Sequence, residues 1–280
     1  MSLSCFRSQN REAFLKYMKA EHVAWIKEHT AGTTNFVKLF TINNIKVSFF
    51  DTGKEAENQQ LKFKAAQAAV TAVSARLALP PFVNVYATSD DISYGFVDRT
   101  SDEMQPATGH ILLGKSVVTI RPQENDDTVT IASQPYKLRG GGTAGGRRLV
   151  ADQIYDSASG GAAEKKQALV LTCCFHELGH VLHAYNSESA YYDGQDLKDK
   201  LFTKKDRDQY DIARTYVSEW SLYGASMVPS EFVAETFSGL MSGLAFRQTA
   251  IDHYMLLGGP GVSYTADVDS SNNLFSRFAA

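Results

Sequence analysis

The run His176-Glu177-Leu178-Gly179-His180 constrains this chain more than any other stretch of it. On a helix, residues four apart stand one above the other, so both imidazoles can reach a single ion, while Glu177 points about 100° around the axis. That carboxylate then lies beside the ion without being needed as a ligand. The segment is apolar on nearly all sides, with Leu169, Val170, Leu171, Phe175, Leu178, Val181 and Leu182 around the polar trio, which marks a buried helix. Two imidazoles and a carboxylate withdrawn from water need a partner, and a divalent ion is one that satisfies all three. A polar stripe on a surface helix does not fit so apolar a setting.

Composition narrows the remaining options. The chain has 280 residues, 44% of them hydrophobic and 11% aromatic, enough to bury a substantial core as one large domain or as two halves around a cleft. A formal charge of -3 with a pI near 6.2, and basic residues mixed with acidic ones, leaves no electrostatic footprint for nucleic acid. No apolar run approaches the roughly 18 to 20 residues of a membrane span, and Met1-Ser2-Leu3-Ser4-Cys5-Phe6-Arg7 lacks the apolar core of a secretory signal. The expectation is a chain that is cytoplasmic or exported without such a signal. Cys5, Cys173 and Cys174 cannot form an even disulfide framework, which favours a reducing environment, and Cys173 and Cys174 read as core residues.

Periodicity predicts an amphipathic helix over 11–28, strands over 36–42 and 45–51 joined by a turn at Asn43-Asn44, and an Ala-rich helix over 56–79 that Pro80-Pro81 stops. Further strands are expected over 82–87, 111–121 and 128–132. The Gly-rich stretch 139–147 reads as a flexible loop, and without a Gly-Lys-Ser/Thr ending it is not a phosphate loop. The alternating charges of 198–211 read as a solvated helix, and the pattern from about 186 onward is mainly helical. Asp267-Val268-Asp269 starts like a calcium loop but lacks its Gly and its distal Glu.

A catalytic zinc ion takes three protein ligands and keeps a fourth position open, so a third ligand must be found. The metzincin extension would need Gly at 183 and His at 186, where this chain has His183 and Asn186. The downstream candidates are Glu231 and Glu235. Pro229 suits a first helical turn, which stacks both carboxylates on one face, and a nearby cation would relieve their repulsion.

With Tyr223-Gly224 followed by Glu231-Phe232-Val233-Ala234-Glu235, residues 170–240 resemble the metallopeptidase family of the anthrax lethal factor catalytic domain and the bacterial Pro-Pro endopeptidases. The resemblance implies one zinc ion per chain, held by His176, His180 and Glu231, with Glu177 as general base and Tyr223 as transition-state donor. Glu235 would accept the free N–H of a zinc-bound histidine. The interval from Tyr223 to Glu231 is one residue longer than the family's usual spacing, and Tyr216, Tyr191 and Tyr192 stand as alternatives for the tyrosine.

The architecture expected is a single α+β zincin-like domain over 1–280. A twisted sheet with a backing helix and the active-site helix would occupy about 1–185, and a helical half supplying the third ligand about 186–280. The function expected is a zinc-dependent endopeptidase acting on a peptide or protein, with a secreted toxin or effector among its settings. Peptide deformylase is disfavoured by the absence of its Glu-Gly-Cys-Leu-Ser signature, and an SprT-like protease by too few cysteines for a zinc ribbon. From another class comes a catalytically silent zincin used for binding, against which Glu177 argues, because a closed structural site has no use for an acid beside the metal. Substrate is expected to pair with an edge strand above the metal helix, for which 116–120 is the best-patterned segment.

Overall fold

The two asparagines at 43 and 44 set the first corner of the fold. Both adopt positive φ, 46° and 68°, the pair of left-handed residues that a tight hairpin needs and that Asn tolerates. They join β1 (Asn35–Ile42) to β2 (Ile45–Asp51) in antiparallel register, with Ile42 opposite Ile45. The computed structural model describes residues 35–51, 56–88, 93–98, 107–114, 117, 128–131, 134–137, 162–186, 203–218, 229–242 and 246–262. The expected helix over 11–28, the loop 139–147 and the acidic tail segment 267–269 lie outside these residues.

Helix α1 (Ala56–Ser74) connects β2 to β3 (Phe82–Ala87), which runs parallel to β2. The helix ends five residues short of the expected 79. Its last turn tightens as the amides of Arg76 and Leu77 both bond the Val73 carbonyl, and the chain then extends into Pro80-Pro81, before which helical backbone is disfavoured. Strands β4 (Tyr94–Asp98) and β5 (Thr108–Leu113) complete a five-stranded sheet ordered β1-β2-β3-β5-β4, with β2, β3 and β5 parallel and both edges antiparallel. A separate hairpin pairs β6 (Thr128–Ile131) with β7 (Gln134–Lys137).

The strand expected over 111–121 begins earlier and ends earlier than the sequence suggested. Register decides this: β5 is matched residue for residue to β3 from Thr108 to Leu113 and to β4 over Thr108 to Leu112, so its neighbours set its length. Val117, the one described residue of 116–120, is buried in a helical turn and not in a strand. The edge strand of the described sheet on this side is β4, which short length and an internal glycine hid from the sequence pattern.

One sheet face presents Val47, Phe49, Val83, Val85, Ile111 and Leu113, all fully buried, to α1 and to α2 (Ala162–Asn186). Helix α1 covers the β1–β3 side and α2 crosses β5 and β4. On α2 packs α4 (Pro229–Met241), buried along almost its whole length. Helix α3 (Lys204–Ser218) buries Tyr210, Ala213, Arg214 and Val217 and exposes Lys204, Lys205, Arg207 and Asp208; of the solvated helix expected over 198–211, residues 204–211 lie on it and 198–202 lie outside the described residues. Helix α3 packs on α5 (Gln248–Leu256). The described part is thus a mixed α+β structure with a five-stranded sheet and five helices, none of them long and apolar enough to cross a membrane.

Candidate metal centre

Helix α2 places His176 and His180 one turn apart and α4 brings Glu231 to meet them. His176 Nε2 and His180 Nε2 are 3.1 Å apart, and Glu231 Oε2 lies 3.3 Å from the first and 3.4 Å from the second. All three side chains are largely removed from solvent. A tetrahedral ion bound at about 2.0–2.1 Å would hold its ligand atoms about 3.3–3.4 Å apart, so the near-equilateral triangle has the edge length of one tetrahedral face. The imidazole planes are 82° apart, and Glu231 Oε2, though close to two ring nitrogens, is buried without a well-aligned donor. Three electron-rich atoms converging at this spacing are relieved by a shared proton or a shared cation. This buried group of His176, His180 and Glu231 could hold a metal ion.

The other ring nitrogen of His176 has its own partner. His176 Nδ1 is 3.1 Å from Glu235 Oε1, and Glu235 is fully buried. With the proton on Nδ1 donated to that carboxylate, the Nε2 lone pair points into the triangle. His180 Nδ1 has no hydrogen-bond partner among the described residues.

Protonation follows the same geometry. Burial disfavours a charge on His176, but the Glu235 carboxylate bonded to its Nδ1 and the close Glu231 carboxylate outweigh it and push the pKa up to about 10. Burial also disfavours a charge on Glu231, yet the two imidazoles beside it hold the carboxyl well below the usual carboxylate range. Without an ion, the cluster keeps a proton among its members. An ion that binds must displace that proton.

The two helices run antiparallel and meet once per turn. Ser238 bonds the Thr172 carbonyl at 2.8 Å, Glu235 meets His176, and Glu231 meets His176 and His180. Between the last two levels Gly179 lets the backbones approach: a Cβ there would sit 3.0 Å from Ala234 Cα and 3.2 Å from the Phe237 ring. The sheet closes on α2 from the other side in the same manner. A Cβ on Gly95 of β4 would overlap the Glu177 carbonyl oxygen, and one on Gly109 of β5 would come within 2.8 Å of Val181 Cγ1.

Glu177 is buried on α2, and its charge acts on His176. Tyr223, Tyr191 and Tyr192 lie outside the described residues. Tyr216 sits on α3 with the Arg247 guanidinium 4.4 Å above its ring, engaged with the start of α5. His183, one turn beyond His180, is buried with Nε2 2.7 Å from the Leu257 carbonyl and ties α2 to the segment after α5. Cys174 is buried in the core and Cys173 partly so, both as free thiols.

No family model, curated protein or solved structure matches the chain. What the site can do is therefore argued from its atoms. Sequence reasoning passed over Gly95 and Ser238. Ser238 carried a usable signal, being seven residues beyond Glu231 and so on the same helix face; Gly95 carried none, because its role exists only once β4 is laid against α2.

Proposed function

We propose that this protein is a zinc-dependent endopeptidase. The observation that carries the proposal is the triangle of His176, His180 and Glu231 with Glu177 buried on the same helix and Glu235 behind His176. Two nitrogen donors and one carboxylate oxygen suit zinc, and three protein ligands leave one position for water or substrate. When bound, the ion supplies Lewis acidity toward a carbonyl oxygen and makes water acidic enough to ionise near neutral pH. Glu177 takes the proton of the attacking water and delivers it to the departing amine nitrogen. Glu235 holds His176 in the tautomer that leaves Nε2 free, and the burial of the cluster strengthens each of these interactions. A hydroxyl donor to the developing oxyanion remains assigned to Tyr223 by the resemblance described above.

Substrate placement moves from 116–120 to β4. A peptide bound beside β4 would pass close to Glu177, because Gly95 brings the β4 backbone against the Glu177 carbonyl. The test is digestion of a mixed peptide library by wild type and by Glu177→Gln, each with and without a chelator. Cleavage by wild type alone, abolished by chelation, is expected, with Glu177→Gln retaining about one zinc per chain. Cleavage by Glu177→Gln at the wild-type rate would refute the assigned base, and no cleavage by zinc-loaded wild type would favour a silent binding module.

A further inference from the structure

We propose that Ser238 is a positioning residue for the ion site, its hydroxyl fixing the register at which α4 presents Glu231 to the two imidazoles. The inference rests on the reading that the triangle holds a metal ion. Ser238 Oγ donates to the Thr172 carbonyl at 2.8 Å, and both residues are buried. In an α-helix that carbonyl is also the acceptor for the amide four residues on, which is the amide of His176. The hydroxyl therefore grips the turn of α2 from which the first ligand projects.

Two neighbouring hydroxyls stay on their own side. Thr236 bonds the Phe232 carbonyl at 2.7 Å and Ser242 bonds the Ser238 carbonyl at 2.7 Å, both within their own helical stretch. The apolar contacts between the helices, such as Gly179 against Ala234 and Phe237, set how closely they approach but are tolerant of sliding, since burial has no preferred direction. A hydrogen bond weakens with misalignment and resists the slide. The site is sensitive to it. Its edges span only 3.1 to 3.4 Å, and metal–ligand distances tolerate about 0.2 Å of error, so an axial shift of about 1 Å takes Glu231 out of reach. Ser238 and Glu235 thus hold α4 at two levels. Glu235 grips a ligand side chain, and Ser238 grips the backbone beneath it.

The experiment is zinc titration of the full chain, freed of metal, against a chromophoric competitor, with thermal unfolding of each metal-free protein alongside. Ser238→Ala is compared with Thr236→Val, which removes a buried hydroxyl whose bond stays inside α4. Wild type should bind one zinc, and Ser238→Ala should weaken binding by about 10-fold, whereas Thr236→Val should lower the unfolding temperature with affinity within about twofold of wild type. Equal affinities for Ser238→Ala and wild type, or equal losses in both variants, would overturn the positioning role. Absence of zinc binding by wild type would instead overturn the metal reading and this inference with it. Should Ser238→Ala fail to fold, Ser238→Cys, whose larger sulfur and weak S–H cannot keep a 2.8 Å bond, is read in its place with the same two outcomes.

Discussion

Replacing Gly95 by Ala tests whether β4 positions substrate against Glu177, because it moves the strand and leaves the ligands alone. The new Cβ would overlap the Glu177 carbonyl oxygen and stand 2.9 Å from its carbonyl carbon and Cα. Ordinary contact begins at about 3.5 Å, so one partner must retreat by about 1 Å to clear the oxygen. The Glu177 carbonyl is part of a buried 25-residue helix packed on α4, whereas β4 is a strand of five residues, so the strand yields. Overpacking of this kind costs about 1–3 kcal/mol. Displacing a bound peptide by about 1 Å from its attacking group costs on the order of 100-fold in rate. The zinc ligands come from α2 and α4, so metal content should not change. The assay is kcat/KM on a peptide taken from the library digest, with zinc content and the unfolding temperature measured on the same samples. A Gly95→Ala variant with wild-type kcat/KM would refute the placement of substrate along β4, and loss of zinc in parallel with activity would refute the separation of strand from metal site.

Three further outcomes are expected. Glu235→Gln should reduce zinc affinity or activity by roughly 10- to 100-fold, and Glu231→Gln should be more damaging; zinc titration giving the reverse order would exchange their roles. Tyr223→Phe should cut turnover about 100-fold with zinc content and KM little changed, and near-normal turnover would remove Tyr223 from the mechanism. Burial, partly offset by the hydrogen bond to the Leu257 carbonyl, lowers the pKa of His183 from 6.5 to about 4. The unfolded chain therefore takes up this proton from about pH 6.5 downward and the folded chain only near pH 4, so stability falls across that window by up to roughly 3 kcal/mol. Denaturant unfolding of wild type and His183→Gln at about pH 7 and about pH 4.5 should show a smaller loss in the variant, and equal losses would contradict this.

What was legible in the sequence is what local chemistry decides. Asn43-Asn44 announced its hairpin because few residues accept two consecutive positive φ angles, and 82–87 was placed to the residue because Pro80-Pro81 bars the helix from it. The pairing of His176 with His180 followed from helical spacing alone. The missed elements were those fixed by partners. Strand β4 has five residues and a glycine, too little for a period, and β7 contains Pro135, which only the edge of a two-stranded ladder accepts. Within the site, spacing put Glu231 and Glu235 on one face but could not say which meets both imidazoles. That depends on how far α4 slides along α2, which the Ser238 bond and the Glu235 contact with His176 define.

Two of the proposed ligands lie one turn apart on α2, while the third arrives on α4, far along the chain. A refolding chain that has formed α2 alone offers the ion two nitrogens, and the carboxylate appears only when the C-terminal helices dock. On the proposed zinc reading, completion of the three-ligand site waits on that docking step. At equilibrium a bound ion would make the same arrangement a latch: with free ion at about 100 times its dissociation constant, undocking α4 would cost up to about 2.7 kcal/mol more than in the metal-free chain, less whatever affinity the two imidazoles keep alone. The five-stranded ladder contains no ligand and does not feel this. On the proposed reading, metal supply would tune the opening of the C-terminal helices separately from the melting of the sheet, and amide exchange in α4, measured against β3, would read the difference.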